Sequence, residues 1–552
     1  MSTNKRSNTF LAHGGILAVA SILVRFIGMI YRIPMVNIIG SEGNGYYSTA
    51  YSVYNILLLL SSYSLPLAVS KLVSARTAVG KWKETKRIMT VAFLFAAAVG
   101  LSFSLLTFFL ADIFCTKVMG SPNAAIALKW LAPTIFIMAV LGVLRGFFQG
   151  LQTMIPTAVS QILEQIANAF VSVGMAAALF QYGKELTLAG ADAAYPAAWG
   201  AAGGTIGTGA GALIALAFCT MLFFLYRYNF NSNVSRDTNP KVRTYGRITK
   251  ILVFTAVPII LSTAAYNCID IIDVVIFNHS MQKTGFEVSE YTSIWGDYNS
   301  AFMLLIHLPV AFSSAIASAL VPSLSAAYAE GDKDLVVSRI SVTIRTVLMI
   351  ALPFSFGMMA IGGNLAKLLF PAIAPDAEKY LLIGGFAVLF YSMATVTNAI
   401  LQGLNRLEKP VFHNIISLVI HVALMFFFLY VLKLGVIGVI IAYMIFGLVT
   451  SVLNMISIYR ITGYLPEPFQ AAMLPVAASF IVVLICLLVS FVISRFLSGK
   501  AGNLMIVLLS FILGVFVYFV LIFKLHCVTR EDIVELPGGR GMARFLRKTG
   551  LL

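Results

Sequence analysis

Residues 21–47 read SILVRFIGMIYRIPMVNIIGSEGNGYY. They close an apolar run that begins near residue 10, and its only charged residues up to Ile39 are Arg25 and Arg32. About twenty apolar residues in a helix cross the ~30 Å hydrocarbon core of a bilayer. This run is longer, so it reads as a membrane span. Lys5-Arg6 ahead of it and Ala18-Val19-Ala20 within it imitate a secretory leader. The apolar run continues well past that site, so an uncleaved first span is expected.

The rest of the chain repeats this pattern. Of 552 residues, 59% are hydrophobic and 11% charged, and the mean hydropathy is +0.92. Soluble domains carry about 25% charged residues. A soluble, disordered or coiled-coil protein is therefore excluded. A membrane β-barrel would alternate apolar and polar residues, and these runs do not alternate. Fourteen spans are expected. The first seven lie at 10–39, 47–75, 88–112, 124–150, 155–182, 198–227 and 250–279. The others lie at 295–328, 336–370, 378–405, 410–433, 435–460, 469–497 and 502–526. The fold expected is an all-α polytopic membrane protein.

The net charge of +16 does not point to nucleic acid, because the cations concentrate in alternate loops. Arg76, Lys81, Lys83, Lys86 and Arg87 follow span 2, and Arg236, Lys241, Arg243 and Arg247 follow span 6. The intervening loops carry few cations, such as Lys117 and Lys184. Both termini are expected in the cytoplasm, which requires an even number of spans. Five cysteines form no CxxC pair, and inert thiols are expected.

An internal repeat is legible. Ser74-Ala75-x-x-Ala78-x-Gly80 after span 2 returns as Ser325-Ala326-x-x-Ala329-x-Gly331 after span 8. Gln149-Gly150-Leu151-Gln152 after span 4 returns as Gln402-Gly403-Leu404-Asn405 after span 10. Equivalent elements are six spans apart, so the halves share one orientation, as in parallel-repeat transporters. The division expected is an N-lobe at 1–232, a C-lobe at 233–462, an extra helix pair at 463–527 and a cytoplasmic tail at 528–552. Arg540, Arg544, Arg547 and Lys548 among apolar residues read that tail as a short interfacial helix.

Arg25 and Arg32 are seven residues apart, two helical turns, and so share a face. A charge at a helix centre costs about 2.5–3.5 kcal/mol on insertion scales. The pair should face water, a counter-ion or an anionic ligand such as a phosphate or diphosphate. The alternative is that Arg32 snorkels to the interface and Arg25 pairs with a structural carboxylate. Pro34 frees the carbonyl of Ile30 and should bend the helix. Asp270 and Asp273 in span 7 have i, i+3 spacing and repel unless a cation or proton lies between them. They read as a cation site or gate, with Asn414 and Ser417 as further oxygen donors, or as hydrated residues near a helix end. Gln161, Glu164 and Gln165 in span 5 line a cavity or form a structural polar cluster. Arg145 either meets a phosphate or anchors the topology. Gly203, Gly207 and Gly211 form a small-residue packing face. No Walker A sequence, nucleophile–base set or metal-ligand set occurs, so an enzyme is not expected.

Three strings carry a family resemblance: residues 21–47, LPLAVSKLVSA at 65–75, and LRGFFQGLQTMIPTAVSQILEQI at 144–166. They resemble the polysaccharide-exporter branch of the multidrug/oligosaccharidyl-lipid/polysaccharide superfamily. Within it they are most similar to the stage V sporulation protein B group, which includes Gram-positive MurJ-type lipid II flippases. The resemblance implies fourteen helices, two six-helix lobes and a central cationic cavity. It also implies flipping of an undecaprenyl-diphosphate-linked glycan to the outer leaflet of a bacterial plasma membrane. Arg25 matches the family's first helix 1 arginine, whereas Arg32 lies one residue beyond the second, where Tyr31 aligns. The helix 2 and helix 8 arginines of Gram-negative members have no counterpart here. The family's sodium site gives Asp270, Asp273 and Asn414 a role, with sodium or a proton as the coupling ion and no other cofactor. A lipid-linked oligosaccharide and membrane lipids are the partners expected, without nucleic acid, for a monomer. The rivals are a multidrug/cation antiporter, which paired arginines disfavour, and a non-transporting scaffold for envelope assembly, which buried charges disfavour.

Overall fold

The computed structural model describes residues 2–63, 65–239, 242–371, 377–465 and 472–525. The proposed tail at 528–552, with its interfacial helix, and Cys527 lie outside the described residues. The chain is helical, as the unbroken apolar runs require. The first eight helices are α1 Ser2–Leu58, α2 Leu65–Thr77, α3 Trp82–Ile113, α4 Ala124–Gly150, α5 Ile155–Leu188, α6 Tyr195–Arg236, α7 Tyr245–Lys283 and α8 Val288–Asp297. The others are α9 Leu304–Glu330, α10 Lys333–Leu369, α11 Ala377–Gly384, α12 Phe386–Gly403, α13 Glu408–Phe426, α14 Val436–Thr462, α15 Leu474–Phe496 and α16 Gly499–Lys524.

Among the described residues eleven helical stretches are long and apolar enough to cross a membrane, or twelve with the bent pair Glu378–Gly384 and Ala387–Gly403. One of the eleven, Ile22–Thr77, is 56 residues long. At ~1.5 Å per residue that is about 84 Å, more than twice a hydrocarbon core. It is broken at Gly40, whose φ of 72° and ψ of −178° are not helical. A single glycine thus replaces the loop expected at 40–46. The protein is a multi-pass membrane protein.

The chain divides into two compact units, Met1–Gly296 and Asp297–Leu552. The contact boundary falls inside span 8, whereas the repeat places its division after residue 232. In the first unit α5 and α6 lie backbone to backbone. A Cβ on Gly203 would clash with the Met175 carbonyl, on Gly207 with the Ser172 hydroxyl, and on Gly211 with the Glu164 carbonyl. The small-residue face is therefore packing, as expected. Phe147 of α4 is buried with Val69, Val73, Ile88 and Phe230, which ties α2, α3 and α6 together.

The segment of α1 after Gly40 meets α8 without intervening side chains. A Cβ on Gly45 would clash with the Thr292 carbonyl, and one on Gly296 with that of Ser41. Asn44 Nδ2 donates to the Gly296 carbonyl at 2.7 Å. Nearby, Asn278 Nδ2 donates to the Met119 carbonyl at 2.7 Å, and the Tyr291 hydroxyl donates to the Gly120 carbonyl.

At another end of this unit, the loop before α3 meets the segment before α7. Glu84 is buried, with Arg76 Nε at 3.4 Å and Arg243 Nε at 3.3 Å. The Asp237 carboxylate accepts the Lys83 backbone N–H at 2.8 Å and that of Asn239 at 2.9 Å. The Lys83 and Asn239 N–H groups hold this carboxyl below its ordinary value.

In the second unit Leu324, Ile340, Ile400 and Ile458 pack α9, α10, α12 and α14 into one core. The α15/α16 pair packs on α10 through Val482 and Cys486, and the Tyr518 hydroxyl donates to the Met349 carbonyl at 2.8 Å.

The repeat is visible in backbone detail. Gly80 and Gly331 have φ of 71° and 76°. Gln152 and Asn405, where only a few per cent of non-glycine residues have positive φ, have 62° and 55°. The Gln152 N–H donates to the Gln149 carbonyl at 2.9 Å, and the Asn405 N–H to that of Gln402 at 3.0 Å. A Cβ on Gly150 would meet Val73, and one on Gly403 would meet Leu324, an equivalent pair.

Candidate functional site: a cationic face on the first helix

Arg25, Gly28 and Arg32 occupy one face of α1, at i, i+3 and i+7. Arg25 is exposed and Arg32 half-buried. Among the described residues no carboxylate lies within ion-pairing distance of either. The Arg32 guanidinium instead lies over the ring of Tyr47, 5.3 Å from its centroid. Gly28 leaves room between the two cations. Gln165 Oε1 of α5 approaches it, 3.7 Å from where a Cβ would stand.

Behind this face is a tyrosine ladder on α1. Tyr47 and Tyr51 have ring centroids 4.6 Å apart, and Tyr51 and Tyr54 5.6 Å apart. The Tyr51 hydroxyl is hydrogen-bonded to Thr208 of α6. Tyr31 is buried, and its hydroxyl accepts from Asn168 Nδ2 of α5 at 3.1 Å. Ser172 donates to Asn168 Oδ1 at 2.7 Å, which fixes the amide. The ladder was readable as Tyr at i, i+4 and i+7, and sequence reasoning missed it.

Arg145 and Glu164, expected to bind substrate, are brought together. Arg145 Nη2 donates to Glu164 Oε2 at 2.7 Å, and Nε donates to Ser160 Oγ at 2.9 Å. Arg145 is buried, and its charge is met inside the protein. Of the two readings of Glu164, the polar cluster between helices describes this geometry. Gln161 Oε1 beside it is buried and accepts no hydrogen bond. Lys129, another cation inside a span, pairs with Asp112 at 2.6 Å.

Asp270 and Asp273 differ despite their shared face: Asp270 is exposed and Asp273 buried. Asn414 belongs to the second unit. It lies in a buried network with Thr450 and Ser417, where the Thr450 hydroxyl donates to Ser417 at 2.9 Å. One turn away His413 Nδ1 meets Asn454 Oδ1 at 2.7 Å, and Asn454 Nδ2 donates to Asn398 and Thr397. Among the described residues no group of three His, Cys, Asp or Glu could hold a metal ion. Asp270 presents an exposed carboxylate.

The comparisons with known proteins agree with a polytopic helical membrane protein. A family model described as polysaccharide biosynthesis protein matches residues 10–328. The chain belongs to this family. A second model, MatE, matches residues 258–427. Stage V sporulation protein B of Bacillus subtilis is 24% identical over 96% of this chain and 98% of its own length. Lipid II flippase MurJ of the same organism is 23% identical over 97% of both. An inward-facing multidrug resistance MATE family transporter of the MOP superfamily matches with a TM-score of 0.64 and 17% identity, over 81% of this chain and 98% of that one. Lipid II flippase MurJ in an inward closed conformation matches with 0.63 and 13%, over 92% and 97%. These identities establish a shared fold. These relatives are named as a sporulation protein, a lipid II flippase and a multidrug transporter.

Proposed function

We propose that this protein moves a lipid-linked glycan carrying a diphosphate, of the lipid II class, from the inner to the outer leaflet by alternating access. The observation that carries the reading is the pair Arg25 and Arg32, two cations on one face of a membrane helix with no carboxylate partner among the described residues. Such a pair is costly in hydrocarbon and suits a doubly anionic head group. The similarity to a lipid II flippase over nearly the full length supports the same substrate class.

In the proposed cycle the diphosphate pairs with Arg25 and Arg32 while the polyprenyl tail stays in the bilayer. An inside-negative potential favours outward movement of anionic charge by about 2.3 kcal/mol per charge per 100 mV. Binding of sodium or a proton at Asp270 resets the empty carrier. Both termini lie in the cytoplasm of a bacterial cell, and the working unit is a monomer.

The test is depletion in the native host with analysis of lipid-linked precursors in each leaflet. Accumulation of one diphosphate-linked precursor in the inner leaflet supports the reading. Unchanged distribution of all such precursors, with an altered efflux of cationic drugs, would replace it with the antiporter reading.

A further inference from the structure

We propose that Tyr47 is the positioning residue that holds Arg32 ready for an anion, its ring standing where a carboxylate would otherwise be required. The proposal rests on the reading of Arg25 and Arg32 as the anion-binding pair. A guanidinium inside a membrane segment has to be compensated. Arg145 shows one way, with Glu164 and Ser160 taking up its charge and its N–H groups. An arginine so paired offers little to a substrate. Arg32 is compensated differently, by a ring face 5.3 Å from its carbon Cζ. The quadrupole of the ring attracts the cation but accepts none of its in-plane N–H donors. The net charge survives, and a guanidinium with five N–H donors keeps donors for a phosphate.

The ring is fixed for this task. Tyr47 is fully buried, against the ring of Tyr51 at 4.6 Å and 37°. On its other side Gly204 of α6 permits close approach. A Cβ there would stand 3.2 Å from Tyr47 Cδ2 and Cε2. The Tyr47 hydroxyl is buried as well, beside the hydroxyls of Tyr31 and Tyr51 and the Arg32 guanidinium.

The experiment uses the full chain in nanodiscs, with farnesyl diphosphate and farnesol as probes. Position 47 is replaced by Phe and then by Phe carrying one, two and three ring fluorines, which weaken the quadrupole and keep the shape. The expected result is a stepwise rise in Kd for farnesyl diphosphate, roughly tenfold across the series, with farnesol binding flat. Indifference of farnesyl diphosphate affinity to fluorine content overturns the proposal, as does a parallel loss of farnesol binding. Arg32→Ala separates the two levels. If it abolishes the preference for diphosphate while fluorination has no effect, only the role of Tyr47 fails. If Arg25→Ala and Arg32→Ala both bind farnesyl diphosphate as the parent does, the anion-site reading fails and this proposal with it.

Discussion

Arg145 of α4 and Glu164 of α5 are joined by a 2.7 Å bond between Nη2 and Oε2, and Ser160 takes the Nε–H of the same guanidinium at 2.9 Å. This buried pair secures the α4–α5 turn. It is the internal contrast to Arg25 and Arg32, which have no such partner among the described residues.

Breaking that pair from one side should be expensive. Arg145→Ala leaves a carboxylate in a largely buried position, at a cost of about 3–5 kcal/mol. The double replacement Arg145→Met with Glu164→Gln should recover much of that loss. Thermal unfolding in detergent measures both, and an Arg145→Ala protein as stable as the parent would show that the pair contributes nothing.

Arg25→Ala should behave in the opposite way. No carboxylate is orphaned, so insertion and abundance should match the parent, while binding of lipid-linked diphosphate is lost. Arg25→Lys should keep part of the activity, since it retains the charge without the bidentate fork. Flipping by Arg25→Ala at the parental rate and equal expression would sink the cationic-site mechanism.

The two aspartates of α7 should separate experimentally. Asp270→Asn removes an exposed carboxylate and should blunt the dependence of transport on sodium or pH. Asp273→Asn alters a buried group and should lower the unfolding temperature more than the ion response. Identical ion responses in the parent and in Asp270→Asn would remove Asp270 from coupling.

Asp237 gives a pH dependence with a definite sign. Its folded carboxyl is held below the ordinary aspartate value of about 3.9 by the N–H groups of Lys83 and Asn239. Its stabilisation is therefore complete above that ordinary value and is lost as pH falls through the lower folded value. Hydrogen exchange at the Lys83 amide, corrected for intrinsic rates, should show protection at pH 6 that fades towards pH 3. Asp237→Asn should lack the transition, and a parental profile in that variant would refute the assignment.

The parts of this architecture that spacing dictates were legible. Seven residues fix Arg25 and Arg32 on one face, and four-residue steps fix Gly203, Gly207 and Gly211 on another. The repeat showed because Gly80 and Gly331 occupy left-handed positions that favour glycine. The pairing of Arg145 with Glu164 was not legible, though both residues stood out, because helix packing rather than sequence separation joins them. The distinction between Asp270 and Asp273 was hidden for the same reason: spacing puts two residues on one face without saying which of them a packed neighbour covers. Where a loop was expected between the first two spans, the polar residues 41–46 are helical and only Gly40, with φ of 72°, breaks the helix. The Tyr47 platform was missed because aromatic residues in apolar helices read first as core.

The meeting of α1 and α8 gives the experimentalist a lever. Gly296 approaches the Ser41 carbonyl so closely that a single methyl group does not fit between them. Gly296→Ala is thus a one-carbon wedge, with no new charge or polarity, that penalises the arrangement seen here and no other in which those segments stand apart. Asn44→Ala weakens the same arrangement without added bulk, by removing the 2.7 Å bond to the Gly296 carbonyl, so the two variants separate steric exclusion from a lost hydrogen bond.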